Sequence, residues 1–158
     1  MGQALEITHS DAGLIMAMHG PVCIALWRSK PTPQLIEVQV AHLARAVQRN
    51  PGKVAFMCVV AQTAEPPDDA ERAASVKMVN SHGGRLAAIA CVIEGAGFRA
   101  AITRTVLSGI MFVVRTPAPI RLFESVELAT PWLGGMLGKV PLVTLPTEVA
   151  LARSPTAA

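Results

Sequence analysis

The sequence predicts an α/β domain built on a mixed, mostly parallel sheet of about five strands with about four helices. Three observations carry that expectation. Lys53–Val60 and Leu86–Ile93 are continuous apolar runs of strand length, the pattern of strands covered on both faces. Helical periodicity lies before, between and after them, and parallel neighbours need such crossovers. The chain of 158 residues is 51% hydrophobic and 16% charged, which suits one domain with a real core and excludes a disordered chain or an extended coiled coil.

Taken in order, Leu5–Thr8 is a short strand candidate followed by turn chemistry at Ser10–Gly13. Leu14–His19 and Val22–Trp27 are apolar strands separated by Gly20-Pro21. Thr32 caps a helix that Pro33 opens and Asn50-Pro51-Gly52 stops near Arg49. Its apolar stripe is Ile36, Val40, Leu43 and Val47, with Glu37, Gln39, His42, Arg45 and Gln48 as polar neighbours. A loop over Ala61–Asp69 leads to a helix from about Asp68 to Ser81, stopped near Gly83-Gly84. After the Leu86–Ile93 strand, Gly95-Ala96-Gly97 opens a third helix over about Phe98–Arg115. Ile120–Phe123 is a short strand, and Ser125 caps a fourth helix that Pro131 interrupts or kinks before Leu137. Residues 1–137 form the expected domain. Residues 138–158 are expected as a proline-containing tail with at most a short helix near 147–152.

Charge and cysteine usage exclude several function classes. The net charge of +3 is mild and its basic residues are scattered, with no run longer than Arg28-Ser29-Lys30, so nucleic acid is not an expected partner. Cys23, Cys58 and Cys91 are widely spaced within apolar stretches, neither a disulfide framework nor a zinc pattern. They read as small buried hydrophobes in a reducing compartment. The first ten residues lack the pattern of a signal peptide, and no apolar run is long enough to span a bilayer, so the expected location is cytoplasmic.

No catalytic set stands out, and no metal or cofactor is expected. Ser81-His82-Gly83-Gly84 suggests an esterase oxyanion turn, but the chain has no Gly-x-Ser-x-Gly elbow, and a helix C-terminus accounts for His82 and Gly83. The Gly-x-Gly at 95–97 lacks the third glycine of a dinucleotide turn, because position 100 is Ala. The four histidines show no HxH or HExxH spacing. His9 reads as part of a hairpin turn, and His19 and His42 read as solvated.

The order of elements, the Pro66-Pro67-Asp68-Asp69 helix start, the Leu86–Glu94 strand running into Gly95-Ala96-Gly97-Phe98, and Phe123-Glu124-Ser125 before a helix ending in Trp132-Leu133 together resemble the STAS, or SpoIIAA-like, domain. This anti-sigma-factor-antagonist fold would cover about residues 5–137. The texture is similar to bacterial SpoIIAA-like proteins of unassigned function. The resemblance implies a regulatory, protein-interacting module. In that family a serine in an Asp-Ser-Ser-Gly-like turn is phosphorylated; the matching place here is Ala64–Ala70, which has no hydroxyl. Thr63 is the nearest, and Asp68 and Asp69 put fixed negative charge at the helix N-terminus.

The third helix is apolar on two sides. Phe98, Ile102, Val106, Ile110 and Val113 form the expected core face. Leu107, Met111 and Val114, with Ala100 and edged by Thr103 and Arg104, form a second face. Either the Leu142–Leu145 segment or a partner would cover it. The expected function is therefore a non-enzymatic module that binds a protein partner or a second copy of itself, with the third helix and the turn around Asp68 as contact regions. The alternative is a small-molecule or lipid-binding domain, or a minor enzyme, with a pocket beneath the third helix.

Overall fold

A computed structural model describes residues 4–113 and 117–154, with the side chains at 98, 99, 107 and 110–113 outside the description. Among the described residues six strands form one sheet: β1 (Glu6–Ser10), β2 (Leu14–His19), β3 (Val22–Trp27), β4 (Val54–Val60), β5 (Leu86–Ile93) and β6 (Ile120–Phe123). Their spatial order is their chain order. The first three make an antiparallel meander, and β3 to β6 run parallel. The helices are α1 (Pro33–Arg49), α2 (Asp69–His82) with a 3₁₀ turn at Gly83–Arg85, α3 (Phe98–Val113), α4 (Val126–Met136) and α5 (Leu145–Ala152). The six strands coincide with the six strand segments read from the sequence, and α5, expected at most as a short helix near 147–152, joins the four longer helices in the same mixed architecture. None of these helices is long and apolar enough to cross a membrane.

Local chemistry sets the helix ends. Thr32 Oγ1 accepts the Leu35 N–H at 3.2 Å, and Pro33 occupies the first turn, where its missing N–H costs nothing. At the other end of α1, Arg85 donates to the carbonyls of Val47, Asn50 and Gly52 at 3.0, 2.6 and 3.1 Å. One guanidinium thus satisfies carbonyls that the helix end leaves open. Ser125 Oγ accepts the Leu128 N–H at 3.2 Å to start α4, and Pro131 sits inside that helix without ending it.

Strands laid down in sequence order with right-handed crossovers place their connecting helices on one face of the sheet. The packing shows it. Met16, Ala25, Trp27 and Phe56 face Ile36, Leu43 and Val47 of α1 and Met78 and Val79 of α2. The first segment of α3 lies beside α2 and the end of β5. The opposite face, with Ile24, Met57, Val59, Ala88 and Ala90, is covered by Val126, Ala129 and Leu133 of α4 and by Leu142, Leu145 and Val149.

The segment after 137 is therefore part of the core and not a loose tail. Gly134 lets it fold back: a Cβ there would meet the Val140 carbonyl oxygen at 2.9 Å, and the N–H groups of Lys139 and Val140 both bond the Gly134 carbonyl. Leu142 and Leu145 pack against α4 and the sheet, on the face away from α1 and α2, instead of covering the third helix. His19, expected in solvent, is 1% exposed, with Nε2 3.0 Å from Glu148 Oε2 of α5. Arg153 forms a two-point ion pair with Glu94, its Nη2 lying 2.8 Å from Oε2. The apolar signal in 138–152 is spread over short runs between prolines, so the sequence shows the short helix but not its docking into the core.

Leu145 is fully buried, so Leu145→Ala is expected to destabilise the whole domain by about 2–5 kcal/mol. Urea unfolding monitored at β-sheet and helix wavelengths would show one shifted transition; loss of α5 alone would show two.

Candidate functional site

The carboxyl edge of β3, β4 and β5 carries the loops where a parallel sheet places ligands. The Ala61–Asp68 loop is pinned at both ends. Thr63 Oγ1 donates to the Arg28 carbonyl at 2.8 Å. Asp68 accepts the Glu71 N–H at 2.8 Å, and Glu71 Oε2 accepts the Asp68 N–H at 2.9 Å, a reciprocal cap on α2. Asp69 pairs with Arg72 one turn on. Of the three predicted switch-turn residues, Thr63 and Asp68 thus hold the loop, while the exposed Asp69 pairs within the first turn of α2.

Behind this loop, between α1, α2 and the sheet, lies a cavity of about 100 Å³. Its walls are Trp27, Phe56, Ile89 and Ile120 from the strands, Ile36 and Gln39 from α1, and Ser75, Met78 and Val79 from α2. Exposed Glu65 and half-buried Pro67 stand at its rim. Cys58 and Cys91, paired in register on β4 and β5, also line it. Both side chains are half-buried, whereas Cys23 is buried.

The polar chemistry of the cavity is sparse. Trp27 Nε1–H donates to Gln39 Oε1 at 2.8 Å. Burial pushes the Cys91 thiol up to about 12. Burial also drives Cys58 upward, assisted by the neighbouring Cys91 and opposed by the Trp27 indole. Protonated thiols are poor nucleophiles, so these two serve as soft apolar wall at neutral pH. Among the described residues no group of three or more His, Cys, Asp or Glu gathers to hold a metal. A wider groove of about 860 Å³ between α2 and α3, lined by residues such as Arg72, Lys77 and Thr105, is open to solvent and lacks enclosing walls.

The third helix departs from its expected orientation. Ala100 and Thr103, assigned to the outer face, are 5% and 2% exposed, while Ile102, assigned to the core, is 39% exposed. Arg104 fixes the rotation by donating to the carbonyls of Ile93 and Gly95 at 3.3 and 3.1 Å. Small Ala and Thr side chains then allow close approach. With apolar residues all round the helix, periodicity alone could not choose between the two faces. The side chains of Leu107 and Met111, and all of Val114, lie outside the described residues.

Sequence reasoning missed the cavity, although one signal was present. Gln39 follows Ile36 by three residues and precedes Leu43 by four, which puts it on the buried stripe of α1. It is 3% exposed, not a solvated neighbour. His42, expected in solvent, is half-buried with Nδ1 2.8 Å from Thr8 Oγ1, whereas two other polar expectations keep their character. Asp68 caps α2, and His9 and Asp11 form a turn in which Asp11 Oδ1 accepts the Gly13 and Leu14 N–H groups at 2.7 and 2.9 Å.

No protein-family model and no curated protein sequence matches the chain. A solved structure from Shewanella loihica PV-4, described as an uncharacterized protein from the DUF3478 family with a SpoIIAA-like fold, aligns with a TM-score of 0.51 at 18% identity. The alignment covers 84% of this chain and 94% of that one. The chain has a SpoIIAA-like fold. In this SpoIIAA-like domain residues of the Ala61–Asp68 loop form the rim of the cavity.

Alkylation gives a direct check on the thiols. A Cys91 thiol at about 12 is about 10⁻⁴ ionised at pH 8, so iodoacetamide should modify the folded protein at least about a thousandfold slower than free cysteine. Mass spectrometry after timed labelling, folded and in urea, measures the ratio.

Proposed function

We propose that this chain is a non-enzymatic SpoIIAA-like binding module that takes a small apolar molecule into the cavity beneath α2. The observation that carries the reading is an apolar recess of about 100 Å³ walled by α1, α2 and the sheet. A molecule bound there gains contacts with the walls on several sides. The volume suits a single ring or a short acyl chain. The pocket lies beneath α2 and over β4 to β6; among the described residues no α3 side chain lines it. Pinning of the rim by Thr63 and Asp68 supports a preformed site.

Monocyclic arenes and short-chain esters are the probes for a thermal-shift and native mass spectrometry screen. Binding at a hundred times Kd stabilises by about 2.7 kcal/mol, a rise of several degrees in Tm. Cys91→Leu, which fills the floor, is expected to fold with its Tm kept and the ligand-induced rise abolished. No probe-dependent shift with any member of the series would overturn the reading.

A second reading, the partner-binding role that the resemblance implies, is supported by Ile102, Leu128 and Leu151. These large apolar side chains stay 39%, 59% and 63% exposed. If the α3 side with Ile102, or the α4–α5 side with Leu128 and Leu151, forms a contact between copies, light scattering gives an oligomeric mass that Ile102→Glu in the first case or Leu151→Glu in the second lowers to that of one chain. A monomeric mass for the unaltered protein removes self-association.

A further inference from the structure

Gln39, in the cavity wall, is almost wholly removed from water, at 3% exposed. Its amide has a defined orientation. An indole N–H can only donate, so the Trp27 Nε1–H···Oε1 bond of 2.8 Å holds the Gln39 oxygen toward Trp27 and turns the NH₂ group away from it. Among the described residues the acceptor that this nitrogen meets is Met78 Sδ at 3.7 Å. A thioether is a weak acceptor, and the NH₂ group carries two donors. A buried amide in the cavity wall is thus held by one strong bond at its oxygen and one weak bond at its nitrogen, a donor that an oxygen acceptor would satisfy better than sulfur does.

We infer that Gln39 Nε2 is the specificity-determining donor of the site, and that the cavity selects neutral carbonyl compounds, compact ketones or esters, over hydrocarbons of the same shape. This rests on the proposed binding role of the cavity. The remaining walls define the class further. Glu65, at the rim, is the one charged side chain lining the cavity among the described residues, so a carboxylate would meet repulsion and no cation. Ile36, Phe56, Ile89 and Ile120 offer no polar partner, and besides Gln39 the described walls add one hydroxyl, the half-buried Ser75, so a molecule with several hydroxyls would lose more hydrogen bonds to water than the cavity replaces. A single oxygen acceptor on an apolar body is what remains. Its carbonyl would replace a weak N–H···S contact with an N–H···O bond, while Trp27 keeps the amide from flipping.

Acetophenone and α-methylstyrene, which has C=CH₂ in place of C=O, are the probes. Comparing wild type with Gln39→Met cancels their different affinities for water. The substitution is expected to raise the acetophenone Kd about tenfold and to change that of α-methylstyrene by about twofold or less. Equal changes for both probes, or none for either, would overturn the carbonyl selectivity and leave the cavity reading intact. Binding of neither probe to the wild type, with no shift across the wider arene and ester series, would overturn the cavity reading and this inference with it. Gln39→Met leaves the Trp27 N–H without its partner and could prevent folding. The wild-type protein then decides by NMR: acetophenone is expected to move the Gln39 side-chain amide protons downfield and α-methylstyrene is not, and identical shifts overturn the assignment.

Discussion

Chain order and spatial order coincide throughout the sheet, and most of the molecule depends on that coincidence. Each crossover from β3 onward steps the same way, so a right-handed path commits α1, α2 and α3 to one side. Central strands apolar on both faces then leave a second surface that no crossover can reach. α4, the Gly134 turn and α5 exist to cover it. The pairs His19–Glu148 and Glu94–Arg153 fasten that cover to β2 and to the end of β5. The domain is thus a three-layer arrangement whose third layer comes from the end of the described chain.

On the crossover side, the cavity follows from how α2 is held. Its N-terminus is fixed by the reciprocal Asp68–Glu71 cap, and Met78 and Val79 reach the sheet one helical face later. Over β4 and β5 the strand residues beneath it include two cysteines, smaller than the leucine or isoleucine that would close the gap. Trp27 at the end of β3 spans to Gln39 on α1 and keeps that wall rigid. Small floor residues, a capped roof and a hydrogen-bonded wall together preserve a space that ordinary core packing would fill.

What the sequence made legible tracks local chemistry. The strands at 54–60 and 86–93, the Thr32, Asp68 and Ser125 caps, and the stop at Asn50 are all set by nearby residues and can be read by eye. The rotation of α3 was not, because two carbonyls at the end of β5 choose it through Arg104. Nor was the burial of His19, which depends on a helix that lies far away in sequence. The loop at 61–68 was singled out for its place in the resembled fold. The space behind it needed Trp27, Gln39, Cys58, Cys91 and Met78, five residues from five elements that no spacing rule connects.

Covering one face with the last elements has a cost in time. His19 meets Thr144, and Arg28 meets the Arg153 carbonyl, each across 125 residues. Contacts of such separation close late, because the chain must first be ordered over the intervening length. During synthesis the β3–β6 sheet can assemble with α1 to α3 while Ile24, Met57 and Val59 still face water. Until residue 149 emerges and Val149 docks, the nascent domain presents an apolar slab to its surroundings. Its need for protection is greatest just before completion.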